Sequence, residues 1–241
     1  MPNSQSISVN FNLRSVEAEA ESKVLTMTQF SDEPELQLLE LCSQRLSKSD
    51  ANKVVATISF AKSLKSTNAS HPSMRAYLSH PLRVAKLALQ LLDSPSAEIV
   101  SMGVLHNVFE ISGMTEAELV SHGYSARVAV GIRLMTVDRK RQADDAYLTD
   151  FYRRIEDFGT DLALVKSVDK LDNLLAFRLI DGPIREEYLE KTDRFVTPMA
   201  GRLSVDFGKY FEEVVKYMRA VGCDPKLKAE YDAFRQQSAD E

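Results

Sequence analysis

Residues 161–180 read DLALVKSVDKLDNLLAFRLI, and this stretch decides the fold. Its apolar residues recur at helical spacing rather than in alternation, which predicts a long and largely buried helix. The acid Asp169 and the amide Asn173 lie one turn apart on this otherwise apolar helix. Burying a carboxylate is costly unless it pairs with a cation or binds a metal, so the stretch also marks a candidate site.

Helix signals continue on both sides of this stretch. Ser, Asp and Thr residues stand where helix N-caps are expected, and Gly or Pro stands where helices end. The sequence has no long β-alternation and no Gly-rich strand-to-helix turn, so it predicts an all-α fold. After an apolar stripe over Leu36–Cys42, the expected helices cover about 49–65, 80–92, 97–110, 116–122, 125–135, 144–157, 161–180, 184–200 and 205–221, with a last one from Pro225.

Three regions are expected along the chain. Residues 1–30 are polar and rich in Ser and Glu, with one short alternating stretch at 7–11. We expect them to form a tail that orders only against a partner or a second subunit, which leaves a homo-oligomer open. Residues 31–222 are expected to form the helical domain, and residues 223–241 a polar C-terminal helix or tail.

Composition limits the classes of function. The chain has 241 residues, with 35 acidic against 30 basic side chains and a net charge of −5. A negative overall field disfavours a nucleic acid or an anionic membrane as partner, but it allows a local basic pocket for a small phosphorylated ligand. No apolar run reaches the length of a membrane span, and Cys42 and Cys223 are not in metal-site spacing. We therefore expect a cytoplasmic protein with two reduced thiols.

Two of the four histidines occupy informative positions. His80 precedes Pro81, which is best tolerated in a first helical turn, so His80 is expected at a helix entrance facing a cleft. His106 lies near the end of an apolar helix, where Asn107 and Glu110 can share one edge with it.

These groups and Asp169 suggest a mixed nitrogen and oxygen site. Two imidazoles, a carboxylate and an amide oxygen suit Mn²⁺, Fe²⁺ or Zn²⁺. Spacing alone leaves a second interpretation open, in which Asp169 simply pairs with Lys166 or Lys170.

Three segments resemble the HD superfamily of metal-dependent phosphohydrolases, in the branch of the RelA/SpoT-type guanosine tetraphosphate hydrolases. Tyr77–Ala85 resembles its Tyr-x-x-His-Pro-x-x-Val-Ala segment, Leu105–Glu110 its Leu-His-Asp-x-x-Glu-Asp segment, and Val165–Asn173 its Val-Lys-x-x-Asp-Lys/Arg-Leu-x-Asn segment. The three occur in the same order at similar separations, within residues 45–180. The resemblance implies an HD-type helical bundle that hydrolyses a phosphate ester or anhydride with the help of a divalent metal, usually Mn²⁺.

The resemblance also implies roles for individual residues. It places the metal among His80, His106, Asn107 and Asp169. Glu110 takes the position of an acid that handles protons or positions water. The expected substrate contacts are Asn173, which matches a nucleotide-holding residue, and the basic side chains Lys166, Lys170 and Arg139.

Two departures from the family pattern bear on activity. Asn107 replaces the Asp of the His-Asp pair, which removes one negative charge and is expected to weaken metal binding. Ile111 replaces the second acid of the Glu-Asp pair and cannot transfer a proton. The basic segment that the tetraphosphate hydrolases carry before the first His has no counterpart, which argues against guanosine tetraphosphate as the substrate.

Three functions from different classes remain compatible with the sequence. The first is a divergent phosphohydrolase acting on a nucleotide or another small phosphorylated metabolite. The second is a catalytically inactive protein that binds and senses a nucleotide, which Asn107 and Ile111 favour. The third is a helical scaffold whose polar cluster is structural. We rank them in this order.

Overall fold

The computed structural model describes residues 13–28, 32–67 and 74–239. Within these ranges the chain forms α-helices joined by short loops and no β-strand, so the predicted all-α class is confirmed. The helices are α1 (Val16–Thr28), α2 (Glu33–Arg45), α3 (Lys48–Ser63), α4 (Met74–Leu91), α5 (Ala97–Leu105), α6 (Val108–Ser112), α7 (Glu116–Ser121), α8 (Ala126–Met135), α9 (Asp145–Phe158), α10 (Thr160–Leu174), α11 (Pro183–Lys191), α12 (Thr197–Leu203), α13 (Val205–Val221) and α14 (Pro225–Ala239).

Side-chain caps begin several of these helices. Ser96 accepts a hydrogen bond from the Ile99 amide at the start of α5, and Thr115 and Glu118 form a reciprocal capping box on α7. Helix α3 is predicted from the sequence to begin with Ser49 as its cap, but Ser47 is the cap instead, because it accepts a hydrogen bond from the Asp50 amide and the helix begins at Lys48.

Helix α4 begins earlier than predicted and contains Pro81 in its interior. Proline cannot donate to the carbonyl four residues before it, so local propensity favours a start near His80. Tertiary packing outweighs this preference, because Val84, Ala85 and Ala88 are fully buried on the face of α4 that packs against its neighbours. His80 therefore lies inside the helix rather than at its entrance.

Three predicted helices are divided. The helix predicted over 97–110 breaks at His106 and Asn107, which separate α5 from α6. The stretch 161–180 is α-helical only to Leu174 and continues as a 3₁₀ turn at Phe177–Leu179. The segment 184–200 is split into α11 and α12 by a π-helical turn at Thr192–Val196.

A glycine allows α4 and α5 to approach closely. A Cβ atom at Gly103 would lie 2.8 Å from the Cα of Ala85, so only glycine fits this contact without moving a helix. Helix α10 packs against both α4 and α5 and also against α9, α12 and α13. Because 12 of its 15 residues are buried, α10 is the central helix of the bundle.

The N-terminal region differs from the predicted polar tail. Residues 16–28 form α1, which packs against α4, α13 and α14 and buries Val16, Ala20 and Lys23. The prediction of a tail is therefore wrong for this segment, and the alternating stretch at 7–11 lies outside the described residues. The C-terminal helix α14 contacts α1 and the 3₁₀ turn after α10.

None of the helices described here combines the length and the apolar character that crossing a membrane requires.

Candidate metal centre

Three predicted ligands converge where α4, α5 and α10 meet. The Nε2 atoms of His80 and His106 lie 3.2 Å apart. The Oδ1 atom of Asp169 lies 3.2 Å from His80 Nε2 and 3.6 Å from His106 Nε2. His80 is partly exposed, whereas His106 and Asp169 are buried. Among the described residues, these form the one group of three or more His, Cys, Asp or Glu side chains whose ligand atoms all lie within 4.8 Å of one another.

The spacing of the three atoms fits a shared divalent ion. Two donors that each lie about 2.1 Å from one ion are separated by roughly 3.0 Å at an octahedral angle and 3.4 Å at a tetrahedral angle. The three observed separations fall in or near this range. Two imidazole nitrogens and one carboxylate oxygen also suit Mn²⁺, Fe²⁺ and Zn²⁺.

The other ring nitrogens of both histidines are held by hydrogen bonds. His106 Nδ1 donates to the carbonyl oxygen of Gly103 at 2.8 Å. His80 Nδ1 donates to Asp172 Oδ2 at 2.7 Å. Because carbonyl and carboxylate oxygens only accept, both rings carry hydrogen on Nδ1. This leaves the Nε2 atoms facing each other, which is how metal-binding histidines are oriented by their outer partners.

The two imidazoles differ in their affinity for protons. Burial lowers the pKa of His106 to about 4, so its ring is neutral at pH 7. Burial also lowers the pKa of His80, but hydrogen bonds to Asp169 and Asp172 outweigh that effect and leave this pKa above its ordinary value. Of the two rings, His80 is therefore the one that binds a second proton more readily, on Nε2.

Asp169 is held as a carboxylate by its neighbours. Lys166 Nζ donates to its Oδ2 atom at 2.9 Å, and Asn173 Nδ2 donates to Oδ1 at 2.9 Å. Burial opposes the charged form, but the Lys166 ammonium and the His80 hydrogen bond hold the pKa of Asp169 well below its usual range. The sequence left open whether Asp169 pairs with Lys166 or faces the histidines. In the structure, its Oδ2 atom pairs with Lys166 and its Oδ1 atom faces both histidines.

A second buried carboxylate, Asp172, lies behind His80. Its Oδ2 atom accepts from Lys23 Nζ as well as from His80, and its Oδ1 atom accepts from Arg83 Nε at 2.7 Å. Burial opposes its ionisation, but Lys23 and Arg83 hold its pKa well below the ordinary value. Asp172 contacts His80 at Nδ1 rather than at the Nε2 side that faces His106 and Asp169, so it supports the ring from behind instead of serving as a ligand.

Buried basic side chains outnumber the buried carboxylates at the centre. The two carboxylates Asp169 and Asp172 are surrounded by three buried basic side chains, Lys23, Arg83 and Lys166. Burial lowers the pKa of both lysines despite their ion pairs. A divalent ion therefore enters a region whose acids are already compensated, and this reduces its binding affinity.

The remaining predicted site residues lie around this core. Asn107 is half-buried in the turn between α5 and α6, and its side chain lies close to the Tyr77 hydroxyl. Glu110 is half-buried and accepts a hydrogen bond from the exposed Arg139 guanidinium at 3.2 Å. The three predicted ligands His80, His106 and Asp169 are thus together, whereas the side chain of Asn107 contacts Tyr77.

Two predicted substrate contacts lie beside Tyr188 of α11. The Lys170 ammonium is 4.8 Å from the centre of the Tyr188 ring. The buried Tyr188 hydroxyl lies near Asn173 without a well-formed hydrogen bond, and burial raises its pKa well above the ordinary value. Lys166, by contrast, is 5% exposed and donates to Asp169 and to the Met135 carbonyl, so it is part of the centre rather than a surface phosphate contact.

Sequence reasoning missed Asp172, Arg83 and Lys23. Asp172 follows Asp169 by three residues on a helix and Arg83 follows His80 by three residues, so helical spacing could have indicated both. Lys23 has no such signal, because it lies 149 residues from Asp172 in a polar segment.

No protein-family model matches this sequence, and no curated protein matches it.

Proposed function

We propose that this protein is an HD-type, divalent-metal-dependent phosphohydrolase that acts on a nucleotide or another small phosphorylated metabolite. The observation that carries the proposal is the convergence of His80 Nε2, His106 Nε2 and Asp169 Oδ1 within 3.6 Å of one another. These donors come from three separate helices, and outer hydrogen bonds orient both rings toward the same point. Mn²⁺ is the proposed ion, with Fe²⁺ or Zn²⁺ as alternatives.

The residues around the centre have different roles in the proposed hydrolysis. When bound, the ion supplies a Lewis acid that activates water and polarises the phosphoryl group. Glu110, whose partner Arg139 is 71% exposed in its side chain, serves as the proton acceptor. Arg139 and Lys170 offer cations to the phosphate groups of the substrate, and Asn173 supports Asp169.

A second function, nucleotide binding without hydrolysis, is favoured by two specific observations. The Asn107 amide is engaged with Tyr77, and the three buried cations compensate both carboxylates before any metal is bound. Both features weaken the hold on a divalent ion while leaving basic groups near the centre. Ile111 is buried and supplies no second acid.

A screen with Mn²⁺ and with nucleoside mono-, di- and polyphosphates separates the two functions. Phosphate release that requires Mn²⁺ and is lost in His106→Ala supports the hydrolase. Thermal stabilisation by a nucleotide without phosphate release, also with Asn107→Asp, supports the binding protein. If neither metal nor nucleotide stabilises the protein, the polar cluster is structural and both proposals fail.

A further inference from the structure

Asp172 contacts a predicted metal ligand, His80, in addition to the two buried cations whose charge it balances. It accepts hydrogen bonds from His80 Nδ1 at 2.7 Å and from Arg83 Nε at 2.7 Å, and it also accepts from Lys23 Nζ. Its side chain has no exposed surface, and the side chains of Lys23 and Arg83 are each 4% exposed. One residue of α10 thus links α1 and two residues of α4 through buried charged groups.

The contact with His80 fixes the ring orientation in which a nitrogen, Nε2, faces the centre. A half-turn of the ring about its Cβ–Cγ bond would exchange Nδ1 with Cδ2 and Nε2 with Cε1, so that a carbon would face each partner. With a fixed carboxylate on the Nδ1 side, the other nitrogen, Nε2, remains 3.2 Å from both His106 Nε2 and Asp169 Oδ1. Outer-shell carboxylates of this kind commonly orient metal-binding histidines.

The position of Asp172 itself depends on helix α1. Lys23 is buried at 3% exposure and reaches Asp172 from a helix that packs against α4, α13 and α14. Arg83 holds the opposite oxygen, so the two cations clamp the carboxylate from both sides. A buried lysine is costly without a partner, and the pair with Asp172 offsets that cost.

We propose that Asp172 and Lys23 are positioning residues of the metal centre: Lys23 holds Asp172, Asp172 holds His80, and helix α1 is thereby a functional part of the site. This inference rests on the proposed metal-dependent function, but its contact between Asp172 and His80 can be tested without metal. It predicts that substitutions in α1 change metal binding only when they remove the contact to Asp172.

Four variants test the proposal in the full-length chain. Asp172→Asn removes the carboxylate but leaves two buried cations without a partner. The double variant Lys23→Met/Asp172→Asn removes one charge of each sign, and Lys23→Met alone retains the contacts of Asp172 with Arg83 and His80. Glu19→Gln is the matched control, because Glu19 is a buried acid of the same helix that pairs with Arg14.

The first measurement is competitive Mn²⁺ titration. We expect the double variant and Asp172→Asn to lose about 10- to 100-fold in Mn²⁺ affinity. Lys23→Met should lose a smaller factor, and Glu19→Gln should match the wild type. Wild-type affinity in a folded double variant overturns the proposal for Asp172. If Glu19→Gln and Lys23→Met lose the same factor in Mn²⁺ affinity, the positioning role proposed for Lys23 is overturned.

The second measurement is imidazole NMR on the metal-free protein, which has four histidines. The His80 Nδ1–H signal should be protected from exchange in the wild type and in Glu19→Gln, weakened in Lys23→Met, and lost in the double variant. If the wild type binds no metal, the proposed function fails, and this signal alone decides the positioning role. A protected signal that persists in the double variant contradicts that role.

Discussion

The Nε2 atoms of His80 and His106 lie 3.2 Å apart, while each ring donates its Nδ1 hydrogen away from the other. Two neutral rings cannot hydrogen-bond through their Nε2 atoms in this arrangement, because neither carries a hydrogen there. The contact therefore requires a proton or a metal ion between the rings.

Gly103→Ala should destabilise the protein by about 1–3 kcal/mol, the usual cost of overpacking. Alanine ordinarily stabilises a helix relative to glycine, but the added Cβ would meet the Ala85 Cα at 2.8 Å. The matched control is Gly131→Ala in α8, whose Cβ would meet only the flexible ends of Met102 and Leu162 side chains. Chemical denaturation should show a loss for Gly103→Ala and little change for Gly131→Ala, and equal effects would contradict the close-packing argument.

Metal affinity should fall as the pH is lowered, and the fall should begin above pH 6.5. Metal binding requires an unprotonated His80 Nε2, and hydrogen bonds to Asp169 and Asp172 raise the pKa of His80 against the opposing effect of burial. Below that pKa, the apparent affinity should drop about tenfold per pH unit. His106 should compete only near pH 4, where its lowered pKa lies.

Protonation of His80 weakens metal binding, but it stabilises the folded state of the metal-free protein. Because the pKa of His80 is raised on folding, its stabilising contribution is fully present below pH 6.5 and is lost as the pH rises through the folded pKa. Mn²⁺ titrations at a series of pH values, with unfolding measured in a chelator, separate the two effects. A metal affinity that stays constant between pH 8 and pH 5.5 would be inconsistent with a shared proton at His80.

Asn107→Asp should tighten Mn²⁺ binding by about tenfold or more, because it adds a negative charge beside the ion. Asn107→Ala removes the amide oxygen and should weaken binding if that oxygen is a ligand. The present contact of Asn107 with Tyr77 makes this a sharp test of the role of residue 107. Equal affinity in the wild type and both variants would show that residue 107 is not a ligand.

Glu110→Gln should reduce the turnover of a confirmed substrate by about 100-fold or more while leaving the metal content unchanged. Glutamine retains the size of the side chain and its hydrogen bond from Arg139, but it cannot accept a proton. Glu116→Gln, which removes another acid that pairs with an arginine, is the matched control. Full activity in Glu110→Gln would refute the assigned role.

Local patterns predicted the all-α class and the positions of most helices, and they selected His80, His106 and Asp169, which the structure brings together. His106 could be selected because it is a polar residue at the end of an apolar helix. Asp169 could be selected because it is an acid on a buried helix. The helix start predicted near His80 from Pro81 is wrong, because the buried contacts of α4 outweigh the local preference of proline for a first helical turn. Lys23 could not be found locally, because its role depends on a contact between residues 149 positions apart.

The most direct test of the central claim is a Mn²⁺ titration of the metal-free protein near pH 8, followed by electron paramagnetic resonance. The account predicts one bound ion per chain in the wild type and none in His106→Ala, because His106 supplies a neutral nitrogen that no other group replaces among the residues that the structure describes. Parallel titrations with Fe²⁺ and Zn²⁺ cover the alternative ions. Failure of the wild type to bind any of the three ions, or unchanged binding in a folded His106→Ala variant, would contradict it.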